Sequence, residues 1–280
     1  MENKQKKDQF VIAYIVSFES QHPCVDYAVQ LARILGKGLI LLYISDPSAR
    51  SLSTSEAEVK LKELNESLPE DLFHSYAALS GAREKVLNAV GELLNAVLLV
   101  SDCNPEEKDK HSPLYPQTQL DSLASSRVAY LLCPPESKPS NYDKVVLTLN
   151  NASESKEKTL WASYFGRFAG SQIVLYYRRY KDEYHQKQLN LNIAFARKIF
   201  EQFKIPLITL HSENTKTQLD IQASDYAKDN NCSLVICQTT KNKSFADRLL
   251  GLDEVRVLKN MKKTPVLFLN PRNDLFILCE

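Results

Sequence analysis

Short apolar runs alternate along the chain with stretches of helical spacing. Residues 10–16 form an apolar run rich in β-branched side chains, and the apolar positions of residues 25–35 recur at helical spacing as far as Gly36. Residues 39–44 form a second continuous apolar run. Continuous apolar runs are typical of strands buried on both faces, so the pattern predicts a parallel sheet covered by helices.

This pattern occurs twice. The predicted strands are residues 10–16, 39–44, 73–79, 96–100 and 128–133, and then 144–149, 173–177, 206–211, 232–237 and 265–269. Pro134, Pro135 and Pro139 separate the two sets, and consecutive prolines interrupt both strands and helices. We therefore predict domain 1 at residues 8–135 and domain 2 at 142–280, joined by a Pro-rich linker at 134–141. Right-handed crossovers would make each an open five-stranded parallel sheet with helices on both faces.

Local signals place several helix ends and one loop. Ser53 and Glu56 have the spacing of a capping box at the start of a helix, and Gly36 is a natural helix stop. Thr217 is the predicted N-cap of a later helix. Prolines and charged residues within 101–118 predict an irregular loop, followed by a short helix.

Composition excludes several classes of function. The chain has 280 residues, 44% of them hydrophobic, which favours about two domains with sizeable cores. A net charge of +1 gives no general attraction to nucleic acid or anionic membrane, although residues 176–181 mix aromatic and basic side chains. No run of 18 apolar residues occurs, and the first nine residues lack a signal-peptide core. The sequence predicts a cytoplasmic protein without nucleic-acid or membrane partners.

Neither a metal site nor a catalytic site is predicted. The six cysteines form no C-x-x-C pair and mostly lie in or beside apolar runs, which is typical of buried, reduced thiols. The five histidines show no metal-binding spacing. A G-x-S-x-G nucleophile elbow, a P-loop and a G-x-G-x-x-G motif are all missing from the sequence, so we expect no enzymatic activity.

Residues 234–269, a predicted strand, helix and strand, carry a resemblance to a known family. They resemble the end of universal stress proteins, whose ATP-binding members have G-x-x-G, nine residues, and G-[ST] at this point. If Gly251 is the third glycine, the first two positions fall on Gln238 and Lys241, and Leu252 replaces the hydroxyl residue. The whole chain resembles a tandem of two such copies, which implies two three-layer domains of the adenine-nucleotide-hydrolase-like type.

The resemblance implies a degenerate nucleotide site. ATP-binding members have Asp at the end of the first strand, where the second half has Asn150. Side chains in place of glycine strain the backbone or obstruct phosphate, often by about 1–3 kcal/mol. We therefore expect Asn150, Gln238, Lys241 and Gly251 to form a vestigial site with no cofactor. The alternative is ATP or another adenine nucleotide, with the Lys241 ammonium contacting phosphate.

Three functions follow from the resemblance. The first is a non-enzymatic, cytoplasmic stress-response protein that acts by binding or signalling. The second is an ATP sensor with slow hydrolysis in domain 2. The third is a scaffold that recognises another protein through residues 101–118. The resemblance also implies an intramolecular pseudo-dimer through residues 128–133 and 265–269, and it is compatible with a homodimer or a protein partner.

Overall fold

The computed structural model describes residues 8–18, 21–47, 51–215, 217–240, 253–261 and 263–271. The chain divides into two units, Met1–Pro139 and Ser140–Glu280. The division falls within the linker predicted at residues 134–141.

The first unit contains five parallel strands connected by helices. Its strands are β1 (Phe10–Ile15), β2 (Gly38–Ser45), β3 (His74–Ser80), β4 (Ala96–Asp102) and β5 (Ala129–Cys133), and its helices are α1 (Pro23–Leu35), α2 (Thr54–Glu66), α3 (Arg83–Leu93) and α4 (Pro116–Ser122). The strand order is β3-β2-β1-β4-β5, and each adjacent pair is parallel. The central strand pairs Phe10 with Gly38 on one side and with Ala96 on the other. Its residues from Val11 to Ile15 are buried, as the continuous apolar run predicts.

The second unit repeats this order. Its strands are β6 (Lys144–Leu149), β7 (Gln172–Arg178), β8 (Leu207–Ser212), β9 (Leu234–Gln238) and β10 (Val266–Leu269), and its described helices are α5 (Ser155–Tyr164), α6 (Glu183–Gln202), α7 (Leu219–Asp229) and α8 (Asp253–Asn260). Read in the same direction as the first unit, the strand order is β8-β7-β6-β9-β10, which matches β3-β2-β1-β4-β5 strand for strand. The pairing is again parallel. The predicted α/β class, a mostly parallel sheet with helices, is confirmed.

Several helix ends follow the local chemistry of the sequence. Gly36 ends α1 in the left-handed conformation, with φ 66°. The Ser53 hydroxyl accepts the backbone N–H of Glu56 at 3.3 Å, and the Glu56 carboxylate accepts the N–H of Ser53 at 2.9 Å. This is the predicted capping box, and it starts α2.

Two local predictions were wrong. Residues 116–118, predicted as loop, begin α4, because Pro116 takes the first helical position, where a missing N–H costs nothing. The N-cap of α7 is Gln218, not Thr217, and no side chain caps that helix. The first turn of α7 therefore keeps backbone N–H groups that no capping side chain satisfies.

A π-helical turn, Phe165–Ala169, continues α5 and ends at Gly170, whose φ is 72°. Gly166 allows Ile205 to pack against this turn, since a Cβ at Gly166 would lie 2.5 Å from Ile205 Cγ2.

Candidate functional site

A cavity of about 370 Å³ lies at one edge of the second unit's sheet. Asn150 follows β6, Arg178 ends β7 and Gln238 ends β9, so the carboxyl ends of three parallel strands border it. The first turns of α7 and α8 border it through Asp220 and Glu254. This edge is where open α/β sheets bind ligands, and the volume suits a small molecule.

Two of the four residues predicted for the vestigial nucleotide site, Asn150 and Gln238, line this cavity together. The other two, Lys241 and Gly251, lie outside the described residues. The side-chain Nε2 of Gln238 is buried and has no hydrogen-bond partner within the described ranges. A buried donor without a partner is costly, so this amide is available to a ligand.

Asn150 uses its side-chain oxygen within the chain. Its Oδ1 accepts the backbone N–H of Ala152 at 3.0 Å and the hydroxyl of Ser155. The amide of Asn192 donates to the carbonyl oxygens of Asn150 and Ala152, at 2.9 and 2.8 Å. Asn150 therefore holds the loop between β6 and α5, and its Oδ1 is already engaged by two donors.

Lys158, on α5, is a cavity residue that the sequence analysis missed. It lines the cavity with only 1% of its surface exposed. Its Nζ donates to Thr148 Oγ1 at 3.0 Å, and this is its single hydrogen bond to the described residues. Lys158 lies three residues after Ser155 and four before Ala162, both fully buried, so helical periodicity alone places it on the buried face.

Burial lowers the pKa of Lys158, and the Asp220 carboxylate and the Cys237 thiol act in the opposite direction. Among the described side chains no carboxylate lies within 4 Å of the ammonium, so burial is not offset by a direct ion pair. Buried lysines of this kind are frequent at sites that bind or react with ligands.

Acidic side chains outnumber basic ones around the cavity. Glu154, Asp220, Asp253 and Glu254 line it, against Lys158 and Arg178. Its described lining therefore carries no excess of positive charge that would attract a polyphosphate.

Glu254 is the most buried of the four acids, with 5% of its surface exposed. Its Oε1 accepts the backbone N–H of Thr240 at 2.5 Å. Its Oε2 is buried and has no hydrogen-bond partner in the described part of the chain. This oxygen is an acceptor that a ligand could satisfy.

The Cys237 thiol and the Arg178 guanidinium, which also line the cavity, are less available to a ligand. Burial raises the pKa of the Cys237 thiol well above its ordinary value, Asp220 adds to the effect and Lys158 opposes it, so the sulfur stays protonated. Arg178 Nη1 donates to the backbone oxygens of Asn214 and Thr217, at 3.1 and 3.0 Å. Arg178 thus supports the segment before α7.

In the first unit, a carboxylate of the chain occupies the start of α1, the counterpart of α5 in the second unit. Asp102, at the end of β4, accepts the backbone N–H of Cys24 on Oδ1 at 2.8 Å and the Cys24 thiol on Oδ2 at 3.1 Å. His22 Nδ1 lies 3.8 Å from the same carboxylate. Burial, followed by Asp102, raises the pKa of Cys24, which keeps the thiol protonated. Asp102 therefore caps α1 at the position where a helix start attracts an anion.

Other side chains in the described ranges suggest no further chemistry. No group of three or more His, Cys, Asp or Glu residues there could hold a metal ion. The five cysteines described, Cys24, Cys103, Cys133, Cys232 and Cys237, are buried free thiols. Among the described helices, none combines the length and apolarity needed to cross a bilayer.

No protein-family model matches the sequence, and no curated protein matches it. Solved structures match over most of the chain. A universal stress protein from Archaeoglobus fulgidus DSM 4304 has a TM-score of 0.71 at 13% identity, covering 94% of this chain and 97% of its own. A protein from Pseudomonas aeruginosa UCBPP-PA14, provisionally described as a universal stress protein, has a TM-score of 0.62 at 12% identity, over 95% and 94%.

The same fold also occurs outside that family. The cytoplasmic domain of a prokaryotic cation chloride cotransporter matches with a TM-score of 0.55 at 12% identity, covering 93% of this chain and 95% of its own. At such identities the likeness shows the fold alone. The chain therefore has a universal-stress-protein-like fold over most of its length.

Proposed function

We propose that this chain is a non-enzymatic stress-response protein of the tandem universal stress protein type, and that it works in the cytoplasm. It acts by binding a small ligand in its second unit. The observation that carries this proposal is the cavity of about 370 Å³ at the carboxyl edge of the second sheet. The repeated strand order and the likeness to universal stress proteins support the tandem assignment.

The ligand that we propose is not ATP. The described part of the lining is acidic on balance and disfavours a triphosphate, and Asn150 and Gln238 stand where the resemblance expects an aspartate and a glycine. The Asn150 oxygen is already engaged by Ala152 and Ser155, so it is a poor acceptor for a ribose hydroxyl. Each 1.4 kcal/mol lost in these contacts weakens binding about tenfold.

Isothermal titration calorimetry of the full chain with Mg²⁺-ATP, AMP and adenosine tests this exclusion. We expect ATP to bind with a dissociation constant weaker than about 100 μM, which corresponds to less than about 5.5 kcal/mol. Low-micromolar ATP binding would instead support the nucleotide sensor, which the position of the cavity favours as a second candidate. In that case Lys241→Ala should weaken binding.

Native mass spectrometry tests whether the cavity holds any ligand. We expect the purified protein to retain a small molecule that Ala152→Leu releases, because the larger side chain enters the cavity that Ala152 lines. Val59→Leu is the matched control, since Val59 is 60% exposed on α2 of the first unit. A retained molecule that Ala152→Leu leaves bound would contradict the location of the site.

A further inference from the structure

Lys158 is the least expected group of the cavity. A buried ammonium with one hydrogen bond and no ion pair among the described residues is energetically unfavourable. Its partner Thr148 lies on β6, and the Thr148 hydroxyl donates onward to the backbone oxygen of Ile236 at 3.5 Å. Thr148 therefore accepts a hydrogen bond from Lys158 and orients its amine. The remaining N–H groups of Lys158 have no hydrogen-bond partner among the described residues.

The cavity also holds a buried donor, Gln238 Nε2, and a buried acceptor, Glu254 Oε2, that have no hydrogen-bond partner within the described part of the chain. An amide N–H suits a ligand oxygen, and a carboxylate can accept and return a proton. An amine, an amide donor and a carboxylate around one cavity are the groups that a carbonyl compound needs to condense with a lysine.

We propose that the second unit captures a small uncharged aldehyde or ketone as a reversible imine on Lys158. This inference rests on the proposed ligand-binding function and names the chemical class of its ligand. An uncharged carbonyl compound is favoured over an anionic one because, among the described residues, four acids and two bases line the cavity. Carboxylates around the site also favour the protonated, cationic form of an imine.

The reaction is balanced without an oxidant, reductant or metal. The lone pair of the neutral amine forms an N–C bond to the carbonyl carbon as the C=O π bond breaks, and one proton passes from the nitrogen to the carbonyl oxygen to give a carbinolamine. The C–O bond then breaks as the nitrogen forms the C=N bond, and the oxygen leaves as water with the second proton of the nitrogen. Gln238 donates to the oxygen and Glu254 carries the proton. Because burial lowers the pKa of Lys158, more of its amine is neutral than in an exposed lysine.

Reductive trapping tests the inference. The full chain is incubated at neutral pH with benzaldehyde and sodium cyanoborohydride, and the benzylated lysines are mapped by peptide mass spectrometry over time. The internal control is Lys156, which is half-buried on the same helix, with its Nζ 5.6 Å from the centre of the Phe195 ring. We expect Lys158 to be labelled several-fold faster than Lys156, because its amine lines the cavity and burial lowers its pKa.

Three variants complete the experiment. Lys158→Arg keeps a cation but removes the reactive amine, so the fast label should disappear. Lys156→Arg should leave the fast label unchanged. Ala152→Leu should slow labelling of Lys158 but not of Lys156. Circular dichroism establishes that each variant is folded.

Labelling of Lys158 that is no faster than that of Lys156 would overturn the inference, as would a fast label that survives Lys158→Arg. If a retained ligand occupies the cavity while no reducible adduct forms, the imine proposal fails and the proposed ligand-binding function stands. If neither a ligand nor an adduct is found, both fail.

Discussion

Replacing Lys158 by methionine should stabilise the second unit. Methionine is similar in length and carries no charge, so the variant removes the cost of burying an ammonium that has no ion pair in the described chain. Apolar replacement of buried charged groups typically stabilises by about 1–4 kcal/mol. Loss of the hydrogen bond to Thr148 opposes this by about 0.5–1.5 kcal/mol. We expect a net gain of up to about 3 kcal/mol at neutral pH.

This gain should depend on pH in a defined direction. Below the lowered folded-state pKa of Lys158, both states carry the ammonium and the full cost of burial applies. Between that pKa and the unfolded value of about 10.4, the unfolded chain holds a proton that the folded chain has lost. Wild-type stability therefore rises through this window relative to that of the variant, by up to about 1.4 kcal/mol per pH unit. The advantage of Lys158→Met shrinks over the same interval.

The charged and titratable neighbours should modify this profile without reversing it. Asp220 on α7 and Cys237 on β9 raise the pKa of Lys158, and Glu254 on α8 lines the same cavity. Burial is the largest influence, so the pKa remains below its ordinary value.

Urea unfolding followed by tryptophan fluorescence measures the effect. The single tryptophan of the chain, Trp161, lies on α5, so its signal reports unfolding of the second unit. Lys156→Met is the matched control, and it should change stability by less than about 1 kcal/mol, the most that the contact of its ammonium with the Phe195 ring contributes at a partly exposed site. A Lys158→Met variant that is less stable at every pH, or whose advantage does not shrink at high pH, would refute the reasoning.

Three further changes test other contacts. Gly166→Ala should destabilise the second unit by about 1–3 kcal/mol in Trp161 fluorescence, because its Cβ would lie 2.5 Å from Ile205 Cγ2, and Ile205→Ala should make the same glycine change nearly neutral. Asp102→Asn should weaken the start of α1 by about 1–3 kcal/mol, measured as faster hydrogen exchange around Cys24, and unchanged exchange would argue against the capping role. Ser53→Ala should lower the stability of α2 by about 1 kcal/mol, measured by hydrogen exchange of its backbone amides, whereas Ser53→Asp should change that stability little.

The α/β fold could be predicted because its signals are local. The capping box of Ser53 and Glu56 and the glycine stop at Gly36 depend on residues a few positions apart, and both are present in the structure. Pro116 shows the limit of such reasoning, because proline disrupts a helix interior but is favoured at a helix start.

The site was harder to predict because its contacts join distant parts of the chain. Lys158 meets Thr148, ten residues away, and is influenced by Asp220 on a different helix. Gln238 could be predicted because it lies at a strand end and at a motif position, whereas Lys158 has neither signal. A lysine in phase with the buried face of a predicted helix was the available signal.

Some predictions keep that status. Lys241 and Gly251 lie outside the described residues, so their predicted part in the site stays a prediction. Pairing of the fifth strands within one chain, a homodimer and a protein partner all stay predictions. The scaffold function of residues 101–118 stays one too.

The carboxylate that closes the start of α1 also has a consequence for stoichiometry. With the Asp102 carboxylate hydrogen-bonded to Cys24, the first unit caps the start of α1 by itself, whereas the start of α5, the counterpart of α1 in the second unit, has no side-chain cap among the described residues. A chain arranged in this way should saturate at one ligand per polypeptide along a hyperbolic isotherm. The two units would then differ in their task, since the second would bind the ligand and the first would not.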